Sequence, residues 1–449
     1  MKIWQKNYDV NKIIEDFTIG KDSELDISLA FYDVLGSLAH IAMLKDIHLI
    51  NETEYNSLQA GLIAILEDIK KDKFSIEDGV EDIHSQVEII LTNKLGDIGK
   101  KIHSGRSRND QVLLDLKLYM RNEILEIVKL AHNLFNRLIN LSETHQEKLM
   151  PGYTHFQVAM PSSFGLWFGA YAESLSDDLV SLKAAFKIIN QNPLGSAAGY
   201  GSSFPLNRQM TTELLAFDSM NYNVVYAQMG RGKAEKVLAN ALSLIADTIG
   251  KLATDICLYM GQDFGFISFP DEYTTGSSIM PHKKNPDVFE LIRGKSNQIK
   301  AVSNEFSLLT TNLPAGYHRD MQLLKENLMN SIGTLKNCLY MSEFMLSVIQ
   351  VNDNIIQKDK YKYLFSVEKV NQLVLEGMSF RDAYRKVGEM IENGSYQPNY
   401  ELNHTHEGSM GNLYNEEIIK KMKVITEYFN EKADQAGQVF KSLSEPKSF

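Results

Sequence analysis

The sequence predicts an all-α fold that is built around a bundle of long helices. Proline is absent before Pro151, between Pro205 and Pro270, and between Pro314 and Pro398, and long tracts without proline favour long helices. Within these tracts, apolar residues recur every three or four positions, which is the spacing of one helix face. Convincing runs in which apolar and polar residues alternate are lacking, so a sheet-based fold is not expected.

Three apolar seams mark the long helices. The clearest follows Lys233 and advances in alternating steps of four and three residues, which gives about six helical turns. The second seam is similar, and the third is rougher. The seams consist of Leu238, Leu242, Ile245, Ile249, Leu252, Ile256 and Tyr259; of Leu116, Met120, Ile124, Ile127, Ala131, Leu134, Leu138 and Leu141; and of Val288, Ile292, Ile299, Val302, Phe306 and Leu309.

The positions of the seams predict three helical domains. A smaller helical domain spans 1–106, a central long-helix bundle spans 107–352, and a small C-terminal helical domain spans 353–449. A helix much longer than about 25 residues cannot easily bury its apolar face within one subunit. We therefore expect several copies of the chain to share one bundle.

The composition argues against several classes of protein. A formal net charge of -11 over 449 residues disfavours nucleic acid as the main partner, because phosphate binding needs a basic face. No uncharged run approaches the roughly 20 residues needed to cross a membrane, and the N-terminal MKIWQKNYDVNKIIEDF has no apolar signal-peptide core. Only Cys257 and Cys338 occur, which fits a reducing compartment. We therefore expect a cytoplasmic protein.

The segment from Thr274 to Arg293, TTGSSIMPHKKNPDVFELIR, carries the strongest indication of function. Its glycine and prolines predict a loop, and a helix is expected to begin near Pro286 with its partial positive charge facing that loop. Hydroxyl, ammonium and amide groups in one loop suit the binding of an oxygen-rich anion. A basic surface turn would explain the lysines alone but not the whole composition. The polar groups belong to Ser277, Ser278, Lys283, Lys284 and Asn285.

Three other loops at the ends of predicted helices are rich in polar residues: VEDIHS (80–85), HSGRSRNDQ (103–111) and MPGYTHFQ (150–157). Each is a weak signal by itself. A lone His155 is more often structural than catalytic, and an SGRSRND turn often only caps a helix. A bundle could bring all four loops to one end, within one subunit or across subunits.

Two further motifs are better explained without a ligand. GSAAGYGS (195–202) superficially suggests a phosphate-binding loop, but it follows the end of a helix near Asn190 rather than a strand, so nucleotide binding is not expected. His404, His406 and Glu407 are potential metal ligands, but their polar surroundings favour a solvated loop. No metal and no cofactor is predicted.

The segment GSSIMPHKKNP resembles the GSSxMPxKxNP loop of the fumarase/aspartase superfamily. Three more segments are similar to the argininosuccinate lyase branch of that superfamily, namely HSGRSRNDQV, LMPGYTHFQ and YHRDMQLLK, and the resemblance extends over nearly the whole chain. It implies an all-helical subunit in a homotetramer, with each active site drawing on three subunits. It also implies the reversible elimination of argininosuccinate to fumarate and arginine, without a metal.

The resemblance further implies a role for each site residue. Ser277 would be the general base, with Lys283 and Asn285 stabilising the charge of an aci-carboxylate intermediate. His155, paired with Glu290, would relay a proton to the leaving nitrogen. Asp82 and His84 match site positions of less defined role. The succinate carboxylates would be held by Ser107, Arg108, Asn109, Thr154, Ser278 and Lys283, and the arginine part by Tyr317, Gln322 and Lys325.

Some residues depart from the family pattern. Gly230-Arg231-Gly232 stands where many members have an Asp-Arg-Asp cluster, and Tyr384 stands where histidine is frequent. These departures leave the reaction class intact. The alternatives are adenylosuccinate lyase, which shares the MPHK form of the loop, and a non-enzymatic protein on the same scaffold, as in lens crystallins. The presence of Ser277 and His155 disfavours the second alternative.

Overall fold

The computed structural model describes residues 11–445, and the fold is mostly helical, as predicted. The helices are α1 (Lys12–Ile19), α2 (Asp22–Asp26), α3 (Ala30–Asp46), α4 (Glu52–Lys70), α5 (Ile83–Leu95), α6 (Asp97–Lys100), α7 (Arg108–Thr144), α8 (Phe164–Ile189), α9 (Arg208–Leu214), α10 (Val224–Met229), α11 (Lys233–Met260), α12 (Asp287–Leu309), α13 (Leu324–Leu346), α14 (Ser366–Leu375), α15 (Phe380–Glu392) and α16 (Asn415–Ser444). Short strands form four two-stranded pairs: β1 (Leu149–Thr154) with β2 (Gln157–Ser163), β3 (Gln191–Asn192) with β4 (Ser219–Met220), β5 (Ile267–Ser268) with β8 (Gln350–Val351), and β6 (Thr275–Gly276) with β7 (Lys284–Asn285).

The three seams lie in α7, α11 and α12, and they form the main core together with α8 and α13. Leu242 and Ile256 are completely buried, whereas Tyr259 and Val302 lie at the edge of the core. The prediction of a central bundle of long helices is therefore confirmed. Burying the seams favours folding, because each large aliphatic side chain removed from water contributes about 2 kcal/mol.

The directions of the helices decide where the loops lie. The close neighbours of Gly250 in the middle of α11 are atoms of Ser296 in α12, and those of Gly232 just before α11 include Thr310 just after α12. The two helices are therefore antiparallel. We call the end of the bundle at the start of α11 and α7 the cavity end, and the end at the start of α12 the loop end.

The segment 149–163 forms a β-hairpin, so the prediction of a simple loop at 150–157 was wrong. Its two-residue turn consists of His155 and Phe156, with φ angles of 54° and 57°. Two left-handed residues give the twist that suits a tight hairpin, although glycine or asparagine usually occupies these positions. A β-bulge between Pro151 and Tyr153 breaks the alternation of apolar residues that would have marked the strands.

The remaining helices form smaller cores. Helices α3, α4 and α5 enclose one of them, and α14 and α15 enclose another. Helix α16 instead returns to the main core, where Met422, Ile425 and Phe429 are buried. The domain boundaries at 106 and 352 stay a prediction. The stretch Asp22–Asp46 is long and apolar enough to span a membrane, but 78% of its most apolar 18-residue window is buried in the fold, as in a core helix.

Candidate active site

A cavity of about 190 Å³ opens at the cavity end of the bundle. The sequence places its residues in three distant segments, and the fold brings them together. It is lined by seven residues that were predicted to bind substrate: Asp82, His84, Arg108, Asn109, Tyr317, Gln322 and Lys325. It is also lined by residues that sequence reasoning missed: Ile19, Asp22, Asp26, Glu81, Val112 and Arg319.

Helix caps fix two of the segments around the cavity. Asp82 caps α5, where its carboxylate accepts hydrogen bonds from the backbone N–H and hydroxyl of Ser85 at 2.8 and 2.5 Å. Ser107 caps α7, and its Oγ accepts from Asn109 N at 2.9 Å. Asp110 completes the capping box by accepting from Ser107 N at 2.9 Å. The segment Ser107–Asn109 therefore has a defined backbone at the cavity.

The glycine-rich loop 195–202 binds an anion of the protein itself. Asp110 is fully buried and accepts hydrogen bonds from Gly195 N at 2.9 Å and Ala197 N at 2.8 Å. Burial raises the pKa of Asp110 to about 6, although these backbone donors favour its charged form. The loop thus binds a carboxylate of the protein and supports the start of α7.

Ion pairs hold the polar side chains of the cavity in place. Arg108 Nη1 lies 3.0 Å from both Glu81 and Asp82, and Arg319 Nη2 lies 3.3 Å from Glu81. Burial would raise the pKa of Asp82, but the nearby cations His84 and Arg108 and the Ser85 hydrogen bonds keep it below its usual value. The carboxylate of Asp82 is therefore ionised and fixes Arg108 beside the cavity.

His84 is a buried imidazole between two carboxylates. Its Nδ1 lies 2.7 Å from Asp33 and 3.6 Å from Asp115, and these three side chains are 6%, 2% and 1% exposed. Burial opposes its charge, but Asp33, Asp115 and Asp82 outweigh that cost and raise the pKa of His84 to about 9. At neutral pH His84 is therefore a cation on the wall of the cavity.

Lys325 has carboxylate partners that the sequence did not reveal. Its Nζ lies 2.5 Å from Asp26 and 2.9 Å from Asp22, and the side chain is 3% exposed. Gln322 Nε2 donates to the carbonyls of Thr18 and Ile19 at 3.0 and 3.2 Å. The chain segment containing α1 and α2 is thereby fixed over the cavity.

Arg231, in the segment that departs from the family pattern, is a buried structural residue. Its Nε lies 2.7 Å from Glu235, and its Nη2 donates to the carbonyl of Met321 at 3.0 Å. Gly232 has a φ of 78°, and an added Cβ would approach the Met321 sulfur to 3.0 Å. Glu235 is therefore the acidic partner of Arg231, and Gly232 allows the 317–325 segment to pack closely.

The predicted anion-binding loop lies at the loop end of the bundle. Strands β6 and β7 pair at its base, and Ser277 Oγ accepts hydrogen bonds from Met280 N at 3.1 Å and from Ile279 N at 3.3 Å. Lys284 forms an ion pair with Asp271. Ser278 and Lys283 are exposed, and Asn285 is half-buried. The hydroxyl of Ser277 thus faces two backbone donors, which favours negative charge on its oxygen.

Thr154 and His155 occupy the exposed tip of the hairpin. The preceding Tyr153 packs against Phe264 and Phe266, which follow α11, so the hairpin also lies at the loop end. Glu290 lies 3.7 Å from Arg293 on its own helix. Within residues 11–445, no hydrogen bond or ion pair joins Glu290 to His155. The predicted pairing of these two residues is therefore not made within one chain.

The site residues consequently fall into two groups at opposite ends of one subunit. The cavity group includes Arg108 and Lys325, and the loop group includes Ser277, Lys283 and His155. Helix α12 has 23 residues and separates the two ends by about 34 Å. A single bundle therefore does not bring the four loops to one end.

The antiparallel long-helix core and the GSSIMPHKKNP loop define a class, the helical lyases of the fumarase/aspartase superfamily. The fold is similar to that of an EDDS lyase variant with bound fumarate, with a TM-score of 0.79, 18% identity, and coverage of 98% of this chain and 95% of that chain. It is also similar to class II fumarase from Schistosoma mansoni, with a TM-score of 0.70, 15% identity, and coverage of 85% and 88%.

Sequence relatives narrow the class. The family model described as Lyase matches residues 2–301. Argininosuccinate lyase of Bacteroides thetaiotaomicron is 58% identical over 429 residues, which are 96% of each chain. Argininosuccinate lyase of Thermotoga neapolitana is 38% identical over 393 residues, 86% of this chain and 98% of that protein. The chain belongs to the argininosuccinate lyase family.

Proposed function

We propose that the protein catalyses the reversible elimination of argininosuccinate to fumarate and L-arginine, the last step of arginine biosynthesis. The observation that carries this proposal is the position of Ser277 Oγ beside two backbone N–H groups, in a loop that also offers Lys283 and Asn285. Relatives named argininosuccinate lyase match almost the full length of the chain, which supports the same substrate here.

Ser277 is the proposed general base. The reaction removes a proton from a carbon next to a carboxylate, and such a C–H bond is very weakly acidic. A serine hydroxyl accepts that proton only as an alkoxide, whose charge needs stabilisation. The N–H groups of Ile279 and Met280 already point at Ser277 Oγ. They provide fixed dipoles that stabilise the alkoxide without any rearrangement.

Lys283 and Asn285 are proposed to stabilise the intermediate. When the proton leaves, the adjacent carboxylate becomes a dianionic aci-carboxylate. An ammonium group and an amide N–H next to its oxygens lower the energy of this species more than that of the substrate. The C–N bond then breaks, fumarate forms, and the leaving guanidinium nitrogen takes up a proton. We assign this proton relay to His155 with Glu290 from a neighbouring subunit.

The cavity group is proposed to bind the two parts of the substrate. Arg108, fixed by Glu81 and Asp82, suits bidentate binding of a succinate carboxylate. Ser107, Asn109, Thr154 and Ser278 complete that binding from the α7 cap, the hairpin and the loop. The arginine part contacts Tyr317, Gln322 and Lys325.

We further propose a homotetramer located in the cytoplasm. The separation of the cavity group from the loop group by the length of α12 supports assembly, because residues that act on one substrate must come from different copies. The side chain of Ile279 at the tip of the loop is 83% exposed, and packing against another subunit would bury it.

Measuring the release of fumarate by its ultraviolet absorbance tests the function. We expect purified protein to form fumarate from argininosuccinate and not from adenylosuccinate. The opposite preference would identify an adenylosuccinate lyase, and activity with neither substrate would identify a non-enzymatic protein on the same scaffold.

A further inference from the structure

Helix α1 (Lys12–Ile19) has an apolar face that is exposed in the single subunit. Ile13, Ile14 and Phe17 are 78%, 59% and 88% exposed, and spacings of three and four residues place Phe17 on the same side of the helix as both isoleucines. An isolated helix of eight residues is marginally stable in water, so α1 depends on contacts beyond its own backbone. A cluster of large exposed apolar side chains is typical of a surface that another polypeptide covers.

The end of α1 is fixed at the rim of the cavity. Gln322 Nε2 donates to the carbonyls of Thr18 and Ile19 at 3.0 and 3.2 Å, and Arg319 Nη2 donates to the carbonyl of Thr18 at 3.0 Å. Ile19 itself lines the cavity. Phe17 precedes Ile19 by two residues, and two residues span at most about 7 Å. The apolar face of α1 therefore begins beside the cavity.

The loop that carries Ser277 has apolar side chains at a matching distance. Ile279 follows Ser277 by two residues and is 83% exposed, and Met280 is 38% exposed. The loop lies at the loop end of its own subunit, about 34 Å from the cavity end along α12. If Ser277 acts on a substrate in the cavity, the loop must come from another copy of the chain. Ile279 then arrives within about 7 Å of the reacting serine, at the same rim as Phe17.

The two segments also carry opposite charge. Residues 11–26, which form α1 and α2, contain five acidic and two basic residues, whereas residues 274–285 contain two lysines and no acidic residue. Opposite charges on two surfaces favour their encounter and disfavour other partners. The loop of a second copy therefore complements α1 and α2 both in charge and in its apolar tip.

We propose that the apolar face of α1 is the docking surface for the Ser277 loop of a neighbouring subunit, with Ile279 packing against Phe17. The inference rests on the proposed function, because it requires Ser277 to act on a substrate in the cavity. Phe17 and Ile279 are positioning residues, which touch no reacting atom but hold the loop where the Ser277 hydroxyl reaches the substrate. Burial of two side chains that are exposed in the single subunit favours this position of the loop.

A disulfide cross-link tests the contact itself. Phe17→Cys combined with Ile279→Cys, oxidised with copper phenanthroline in the presence of fumarate and L-arginine, should give covalently linked subunits on a non-reducing gel. Because the two positions lie at opposite ends of one subunit, this link can form only between copies. Leu375→Cys combined with Ile279→Cys is the matched control, since Leu375 is 90% exposed on α14, and it should give no linked subunits.

A double-mutant cycle tests what the contact does. Phe17→Ala and Ile279→Ala should each lower kcat by about 10-fold, the factor that burial of part of one large apolar side chain provides. The KM for argininosuccinate and the melting temperature should change little, because the cavity group still binds the substrate and both residues are exposed in the single subunit. The double variant should lose about as much as either single variant, since both changes remove the same contact. Leu375→Ala should leave kcat unchanged.

Separate outcomes decide the inference and the proposed function. A cross-link that does not form, or that forms equally in the control pair, would overturn the inference. A loss of about 100-fold in the double alanine variant would overturn it as well, because it would show that the two residues act independently. If the wild-type enzyme releases no fumarate from argininosuccinate, the proposed function is refuted, and the cross-link still decides whether α1 contacts the loop.

Discussion

The charge on His84 can be tested by replacing Asp33. The pKa of His84 is raised to about 9, against an ordinary value of about 6.5 for histidine. The difference corresponds to about 3 kcal/mol in favour of the protonated form in the folded protein. Asp33, with its hydrogen bond of 2.7 Å to Nδ1, makes the largest contribution that raises this pKa. Asp33→Asn removes that contribution and leaves the imidazole buried.

In Asp33→Asn the pKa of His84 should fall, because burial disfavours the charged form and its strongest opposing contribution is removed. The effect on stability has a definite sign. Because the pKa of His84 is higher in the folded than in the unfolded protein, its protonation stabilises the wild-type fold fully below about pH 6.5. This stabilisation is lost as the pH rises through about 9. The wild-type protein should therefore lose about 3 kcal/mol of unfolding free energy per subunit over that range through His84. The variant should lose less over the same range.

Two measurements check this expectation. NMR of deuterated protein labelled with ¹³C at histidine Cε1 follows the titration directly, with His84→Gln identifying the signal. Urea unfolding at fixed protein concentration between pH 6.5 and 9.5 gives the free energy. Asp97→Asn is the control, since Asp97 is 93% exposed and does not line the cavity. A wild-type titration near pH 6.5, or one that Asp33→Asn leaves unchanged, would refute the electrostatic argument.

Three further outcomes are expected. Ser277→Ala should lower kcat by about 10²- to 10⁴-fold with little change in melting temperature, since the residue lies in a loop; near-normal turnover would remove Ser277 as the base. Inactive Ser277→Ala and Arg108→Gln subunits can be unfolded and refolded together in equal amounts. If each site combines Ser277 and Arg108 from different copies, about a quarter of the sites should receive both wild-type residues, and about a quarter of wild-type activity should return. No recovery would contradict shared sites. Asp110→Asn should lower the free energy of unfolding by about 1–3 kcal/mol, because it weakens the hydrogen bonds to Gly195 and Ala197. The urea midpoint should fall accordingly, and an unchanged midpoint would show that the loop does not depend on this carboxylate.

The sequence predicted the helical core because apolar spacing is a local property. The seam from Leu238 to Tyr259 needs no partner to be recognised, and the start of α12 after Pro286 follows from the preference of proline for a first turn. The hairpin at His155 was missed because neither turn residue is glycine or asparagine, so the positive φ angles had no sequence signal.

The candidate site was only partly predictable for a related reason. Lys325 and Asp26 are 299 residues apart in sequence, and nothing local links them. Asp26 beside Lys325 and Asp33 beside His84 lie in α2 and α3, where their spacing resembles that of any capped or amphipathic helix. Apolar periodicity could not show which loops lie at which end of the bundle, because it gives the length of a helix but not its direction. An active site drawn from several subunits was implied only by the family resemblance.

The length of α7 has a consequence for when a newly made subunit becomes active. This helix of 37 residues carries Arg108 at its first turn and leads to the hairpin of His155 after its last, about 55 Å away. A newly synthesised subunit therefore already contains every residue that the proposed reaction requires, but at a separation that no substrate can span. Activity should appear only when subunits meet, so the concentration of the protein, and not only its folding, should determine when turnover begins.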